Sequence, residues 1–94
     1  MTYEILYSDE AVEKLRSLRA FDRAAVLDGI ERVLLVNPTQ ASKAKVKLLR
    51  QPAPTQYRLR VGEFRVFYDV LGQSVYVIQL LSKADSISYL EGSS

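Results

Sequence analysis

The first third of the chain begins with a strand pattern of apolar residues and continues with a helical one. Residues 3–7 are rich in tyrosine, isoleucine and leucine and predict a short strand. Ser8 or Asp9 can then cap a helix that runs to about Leu18. The apolar stripe of this helix consists of Val12, Leu15 and Leu18. The pattern therefore predicts a strand followed at once by an amphipathic helix.

A second helical pattern follows and ends at a proline. Asp22 can cap this helix, and Asn37-Pro38 ends it, because proline disfavours helical geometry in the residue before it. Its core-facing positions, at the spacing i, i+4, i+7 and i+8, are Val26, Ile30, Val33 and Leu34. Two helices joined by a short link form a hairpin, whose apolar side has to be buried against another element.

The second half of the chain has strand patterns separated by turn residues. Strands are predicted at residues 45–49, 56–61, 64–70 and 75–81, with a turn-rich break at the Gln-Pro-Ala-Pro of residues 51–54. Gly62-Glu63 and Gly72-Gln73 suit tight type II′ hairpin turns. These turns predict an antiparallel meander.

Together the patterns predict one α+β domain over residues 1–94. An N-terminal strand and a two-helix hairpin pack on a mostly antiparallel sheet, in the order β-α-α-β-β-β-β. A short element can follow the last strand, and residues 91–94 are expected to fray.

The turn at Gly62-Glu63 predicts the register of the hairpin around it. A two-residue loop pairs Arg60 with Arg65 and places Arg58 opposite Phe67. Because side chains alternate along a strand, Arg58, Arg60 and Arg65 then share one face of the sheet. Like charges directly across a strand pair destabilise by about 0.2–1 kcal/mol, so the pairing favours a face that normally holds an anion.

The chemistry of this face points to RNA. Guanidinium groups bind phosphate in a bidentate manner, and Phe67 beside them offers a stacking face for a base. Residues 43–65 carry seven basic side chains and one acidic side chain, a net charge of +6, in a chain whose net charge is +2. Two alternatives stay open: arginines exposed only for solubility, and a register slipped by one residue, which would separate the arginines by face. Lys43, Lys45 and Lys47 also alternate, and either contact phosphate or protect an edge strand from aggregation.

The composition removes several kinds of chemistry. The chain has no cysteine and no histidine, so it has no disulfide framework, no thiolate and no imidazole to serve as general base or zinc ligand. We find no cluster of carboxylates for a metal site and expect no cofactor. Apolar stretches are too short to span a bilayer and residues 1–4 do not begin a signal peptide, so we expect a cytoplasmic location.

The run Tyr-Arg-Leu-Arg-Val-Gly-x-aromatic-Arg-Val-x-Tyr at residues 57–68 resembles the RelE/ParE superfamily of bacterial toxins, and the likeness extends over nearly the whole chain. The resemblance implies a mostly antiparallel sheet with two helices on one side. For the RelE branch it implies cleavage of messenger RNA in the ribosomal A site, by attack of the ribose 2′-OH on the adjacent phosphate and without a metal. It also implies a toxin–antitoxin hetero-oligomer, in which a cognate antitoxin often displaces the C-terminal helix of the toxin or covers its basic site.

The resemblance further implies roles for single residues. Arg65 matches the strand arginine of the family and is expected to bind the scissile phosphate, while Arg58 and Arg60 match the paired basic residues of the preceding strand. Lys83 lies in the C-terminal basic segment, and Tyr89 is nearest to the terminal tyrosine of the family.

The chain departs from the family pattern at two places. Ala84 stands where many relatives have a second basic residue, often the proposed general acid. Arg58 stands where RelE has a lysine proposed as base, and arginine is a poor base because its pKa exceeds about 12. The remaining candidate proton carriers are Lys83, Tyr89 and Glu63.

Three functional hypotheses follow from the sequence. The favoured one is a ribosome-dependent mRNA endonuclease that inhibits translation. Its expected catalytic residues are Arg65, Lys83, Arg58 and Tyr89, and its expected RNA contacts are Arg60, Lys43, Lys45, Lys47 and Phe67. The second is a ParE-type inhibitor of DNA gyrase, and the third is a catalytically silent member that binds RNA or only its antitoxin. The motif at residues 57–68 occurs in both branches and does not decide between them.

Overall fold

The computed structural model of the protein describes residues 2–42 and 45–92. In this part of the chain the elements are β1 (Glu4–Tyr7), α1 (Asp9–Ser17), α2 (Ala20–Leu34), β2 (Val46–Leu48), β3 (Tyr57–Val61), β4 (Phe64–Leu71), β5 (Ser74–Ser82) and α3 (Lys83–Gly92). The strands form a sheet in the order β1-β5-β4-β3-β2. β1 is parallel to β5 and the other neighbours are antiparallel, which confirms the predicted α+β class and mostly antiparallel sheet.

Ser8 determines the start of α1 and ties it to the sheet. Its hydroxyl oxygen accepts a hydrogen bond from the Ala11 amide at 3.1 Å, as an N-cap does. The same hydroxyl donates to the carbonyl oxygen of Ile78 in β5 at 2.6 Å. The predicted helix after Ser8 is confirmed, and it ends at Ser17.

The second helix begins earlier than predicted. Its N-cap residue is Arg19, and Asp22 lies inside the first turn, 3.7 Å from the Arg19 guanidinium. The prediction that Asp22 caps this helix is therefore wrong. The physical reason is Arg23, whose guanidinium donates to three backbone carbonyl oxygens at the end of α1 and so holds the two helices closely together.

The core lies between the helical hairpin and the sheet. The predicted stripe residues that are buried are Leu15, Val26, Ile30 and Leu34. Val12, Leu18 and Val33 are half-buried, and Ala11 is fully buried on α1 instead. Except for Val12, these side chains belong to the core cluster or pack against it, and the sheet contributes Val46, Leu59, Val66, Tyr68, Val75, Val77 and Leu80 to that cluster. The Tyr68 hydroxyl donates to the Pro38 carbonyl oxygen at 2.6 Å, which holds the loop after α2 against the core.

The predicted register of the β3–β4 hairpin is confirmed. Arg60 pairs with Arg65, and Arg58 pairs with Phe67. Gly62 and Gly72 have φ angles of 57° and 60°, and no other residue type in the described ranges has a positive φ. A positive φ at the first central position alone is the pattern of a type II′ turn.

The short element that can follow the last strand is a C-terminal helix, whose type and length the sequence patterns did not predict. α3 follows β5 without a loop, and the Lys83 amide donates to the Glu63 carbonyl oxygen at 2.8 Å. The Ser82 hydroxyl caps the first turn by accepting a hydrogen bond from the Asp85 amide at 3.1 Å. Glu91 and Gly92, which were expected to fray, form its last turn, and the rest of that predicted tail lies outside the described residues. None of the described helices has the length and apolar character to cross a membrane.

Gly29 marks a close approach of α2 to the sheet and gives a test of the packing. A Cβ atom at this position would lie 2.9 Å from both methyl carbons of Val61. We expect Gly29→Ala to lower the free energy of unfolding by about 1–3 kcal/mol through overpacking. A Gly→Ala change at an exposed helix position raises the free energy of unfolding by about 1 kcal/mol. Urea denaturation therefore distinguishes a packed from an exposed Gly29 by the sign of the change.

The double variant Gly29→Ala/Val61→Ala is the control for this contact. Because the clash needs both side chains, the double variant should be more stable than the sum of the two single changes predicts. A stabilised Gly29→Ala protein, or strictly additive effects, would contradict the packing of α2 on β3.

Candidate nucleic-acid interface

The sheet face opposite α1 and α2 carries the predicted arginine cluster. Leu59 and Val66 point into the core, so alternation places their neighbours in β3 and β4 on the other face. Three cross-strand rows lie there, about 7 Å apart along the strands. The first row is Arg60, Arg65 and Leu81, the second is Lys47, Arg58, Phe67 and Gln79, and the third is Gln56, Asp69 and Tyr76. We call this surface the arginine face.

Arg65 is the most buried of the three arginines, with 7% of its surface exposed. Its Nη1 donates to the carbonyl oxygens of Gly62 at 2.9 Å and Phe64 at 3.0 Å, so the guanidinium is held against the hairpin turn. Within the described residues, its Nε and Nη2 form no hydrogen bond, and both nitrogens remain accessible to solvent. One edge of a fixed guanidinium is therefore left for a ligand.

Arg58 is half-buried beside Arg65. Its Nε is buried and has no hydrogen-bond partner among the described residues. Burial lowers the pKa of Arg58, and the positive charges of Arg65 and Arg60 lower it further. An unsatisfied donor and two like charges are both unfavourable in the free protein, and an anion placed between the guanidinium groups would relieve both.

No carboxylate neutralises this cluster within the described part of the chain. The ion pairs there lie on or beside the helical hairpin, for example between Arg32 and Asp28 at 3.0 Å. In the same ranges, no three His, Cys, Asp or Glu side chains come together as a possible metal site. The guanidinium groups of Arg58, Arg60 and Arg65 are therefore left without an ion-pair partner among the described residues.

Two of the predicted lysines flank this face. Lys47 is exposed and lies directly across from Arg58, on edge strand β2. Lys45 is also exposed, and its carbonyl oxygen accepts a hydrogen bond from the Arg60 amide at 2.9 Å. Lys43 lies outside the described residues. Lys45 and Lys47 add positive charge beside the arginines. They also lie at the edge of the sheet, which is where a lysine would protect against aggregation.

Phe67 is not available as a stacking face in this structure. Its side chain is completely buried, and its ring lies edge-on against the ring of Tyr89, with the centroids 4.9 Å apart. The expectation of an exposed aromatic therefore needs correction, because α3 covers the middle of the arginine face. Burial raises the pKa of Tyr89, and the charge of Asp69 raises it further.

The other predicted residues lie near the hairpin turn. Lys83 is exposed at the first position of α3, where its backbone is bonded to Glu63. Glu63 and Ala84 are exposed as well. The fold thus brings Lys83 to the edge of the arginine face at which Arg60 and Arg65 pair.

Sequence reasoning missed the third row of the face. Asp69 and Tyr76 pair across β4 and β5, and Gln56 joins them through its amide, which donates to Asp69 Oδ1 at 2.7 Å. The signal was present, because Asp69 follows Arg65 and Phe67 at steps of two residues and so had to share their face.

Known proteins share the sequence pattern and the fold. The chain matches, over residues 5–87, the sequence profile of a family described as the ParE toxin of the type II toxin-antitoxin system parDE. No curated protein sequence matches it significantly. The archaeal RelE in the RelE–RelB complex of Pyrococcus horikoshii OT3 has a TM-score of 0.70 and 25% identity, with 88% of this chain and 97% of that chain covered.

Two bacterial structures have the same fold at lower identity. The toxin–antitoxin complex RelBE2 of Mycobacterium tuberculosis gives a TM-score of 0.70 at 19% identity, with coverage of 87% of this chain and 99% of that chain. The free state of an arginine double mutant of Escherichia coli toxin RelE gives 0.67 at 20% identity, with coverage of 98% and 97%.

The different surroundings of Arg65 and Arg60 can be tested by a matched pair of variants. The lysine side chain is one bond shorter than that of arginine and lacks the planar guanidinium that lies against the turn, so we expect Arg65→Lys to weaken the bonds to the two turn carbonyls and to lower the free energy of unfolding by about 1–3 kcal/mol. Arg60→Lys, at the exposed position directly opposite, should change it by less than about 0.5 kcal/mol. Equal effects in urea denaturation would contradict the anchoring of Arg65 at the turn.

Proposed function

We propose that the chain, which belongs to the ParE toxin family of type II toxin–antitoxin systems, inhibits translation as a metal-free, ribosome-dependent endoribonuclease acting in the cytoplasm. The observation that carries this proposal is the arginine face, on which Arg58, Arg60 and Arg65 converge with no carboxylate partner among the described residues. Three cations on one face suit a phosphate that gains negative charge during reaction.

The proposed reaction uses positioning and charge. The ribose 2′-OH attacks the adjacent phosphorus, the bond to the 5′ oxygen breaks, and the upstream fragment ends in a 2′,3′-cyclic phosphate. The free edge of Arg65, together with Arg58, neutralises the pentavalent phosphate. Arg60, Lys45 and Lys47 hold the phosphates on either side.

Two protons have to move in this reaction. Tyr89 gives the proton of its hydroxyl to the leaving 5′ oxygen. Lys83, exposed at the start of α3, is the candidate that takes the proton from the 2′-OH in its neutral amine form. Phe67 joins the RNA contacts only if α3 moves away from it.

A cognate antitoxin is the proposed protein partner. The similar structures include RelE–RelB and RelBE2 complexes, in which a toxin of this fold is bound to its antitoxin. A partner that brings carboxylates to the arginine face would supply the counter-charges that the described residues lack.

Inhibition of DNA gyrase is the second candidate function. It is favoured by the description of the matching family, which names ParE rather than RelE. This function needs no cleavage chemistry, so it does not depend on Tyr89 or Lys83.

Induction of the protein in a bacterial host, with primer extension on a reporter message, tests the proposal. We expect cuts within codons that disappear when translation is blocked. Arg58→Gln should reduce cleavage about 100-fold or more, because it removes a cation from the phosphate site. Arg32→Gln, at an exposed ion pair on α2, is the matched control and should leave cleavage unchanged.

Intact messages with stalled gyrase would instead support the second candidate, and intact messages with antitoxin binding alone would indicate a silent member.

Tyr89→Phe separates the hydroxyl of this residue from its packing. The ring contact with Phe67 is kept, so stability should change little, while loss of the proton donor should lower cleavage about 100-fold or more. Cleavage by purified ribosomes programmed with a defined message measures the effect, with thermal denaturation as the control for folding. Full activity of the Tyr89→Phe protein would exclude this residue as the acid.

A further inference from the structure

The third row of the arginine face differs in chemistry from the first two. The first two rows carry guanidinium and ammonium groups, whereas the third presents the carboxylate of Asp69, the amide of Gln56 and the phenol of Tyr76. Cations hold phosphates, but acceptors and donors of this kind recognise the edges of bases. The change of chemistry within one continuous face indicates a change of ligand group.

Backbone hydrogen bonds hold the two polar side chains of this row in place. Asp69 Oδ1 accepts from the Gln56 amide at 2.7 Å, and Gln56 Oε1 accepts from the Val70 amide at 2.8 Å. Each side chain therefore uses one oxygen to fix its own orientation. Within the described residues, Asp69 Oδ2 remains as a free acceptor and Gln56 Nε2 as a free donor.

A groove lies directly over this acceptor and donor. It has a volume of about 470 Å³, and Asp69 and Gln56 are part of its lining. Its other walls include the aromatic ring of Tyr76 and the aliphatic side chains of Leu71 and Ile78. Polar groups beside an aromatic ring and apolar side chains fit a nucleobase, which stacks on side chains and offers hydrogen bonds along its edge.

The groove is also at a suitable distance from the phosphate site. Asp69 is four residues after Arg65 in β4 and on the same face, which corresponds to about 13 Å. The groove therefore lies beyond the nucleotide at the scissile phosphate, where a neighbouring base of the same strand can reach it. No base has to displace Tyr89 from Phe67 to enter it, because neither of these residues lines the groove.

We propose that Asp69 and Gln56 form a base-reading subsite that prefers adenine or cytosine to uracil in an RNA strand held by the arginines. Asp69 Oδ2 accepts a hydrogen bond from the exocyclic amine of the base, and Gln56 Nε2 donates one to the adjacent ring nitrogen. Adenine and cytosine both present this donor–acceptor pair, whereas uracil presents a carbonyl oxygen in place of the amine. The inference rests on the proposed RNA-binding function and adds a specificity-determining residue to it.

Binding of short labelled oligonucleotides to the full-length protein tests the subsite. Fully 2′-O-methylated hexamers of adenosine, cytidine and uridine cannot be cleaved, and fluorescence anisotropy at one salt concentration gives their affinities. We expect the adenosine and cytidine hexamers to bind about tenfold more tightly than the uridine hexamer. Asp69→Asn keeps the acceptor for the Gln56 amide but replaces Oδ2 by a donor, so each base then meets one mismatched group and the preference should vanish.

Asp85→Asn is the matched control, because it removes the same charge from an exposed position on α3. It should strengthen binding of all three hexamers by a similar factor and leave the preference unchanged. Binding without a preference in the wild type, or a preference that Asp69→Asn leaves intact, overturns the subsite but not the RNA-binding function. Absence of binding by all three hexamers overturns both.

Discussion

The register between β3 and β4 is the constraint on which the rest of the molecule depends. The turn at Gly62-Glu63 pairs Arg60 with Arg65, and a slip by one residue would turn Arg58 and Arg60 into the core and Leu59 out of it. Glycine permits the positive φ of that turn, and the Arg65 guanidinium closes it by binding carbonyl oxygens on both sides. The register that pairs Arg60 with Arg65 thus determines both which side chains pack in the core and which cations lie on the opposite face of the sheet.

The distribution of charge reflects two opposing demands. On the helical hairpin, acidic and basic side chains lie close enough to pair. On the arginine face, the buried Nε of Arg58 has no partner among the described residues, and two arginines lie directly opposite each other. Such local conflicts with stability are typical of binding sites, because the ligand supplies the missing partner. A ligand that relieves these unfavourable contacts gains affinity from their removal.

Local patterns in the sequence predicted the strands, the hairpin turns and the arginine register, because each depends on neighbouring residues and strict alternation. These patterns failed where contacts between distant residues determine the bounds or the presence of an element. Arg23 binds the end of α1 and sets the start of α2, and spacing alone does not reveal such a contact. α3 has only a weak apolar stripe, so it depends on Phe67 and on its cap at Ser82. The burial of Phe67 follows from that helix and could not be predicted without it.

The direct passage from β5 into α3 limits how this helix can move. No loop separates Ser82 from Lys83, and the Lys83 amide is bonded to Glu63 at the hairpin turn. Tyr89 lies six residues from this junction, about 9 Å along the helix axis. A tilt about this junction therefore moves Tyr89 several times farther than Lys83. It uncovers the aromatic ring at the centre of the sheet face while the basic residue at its edge keeps its position.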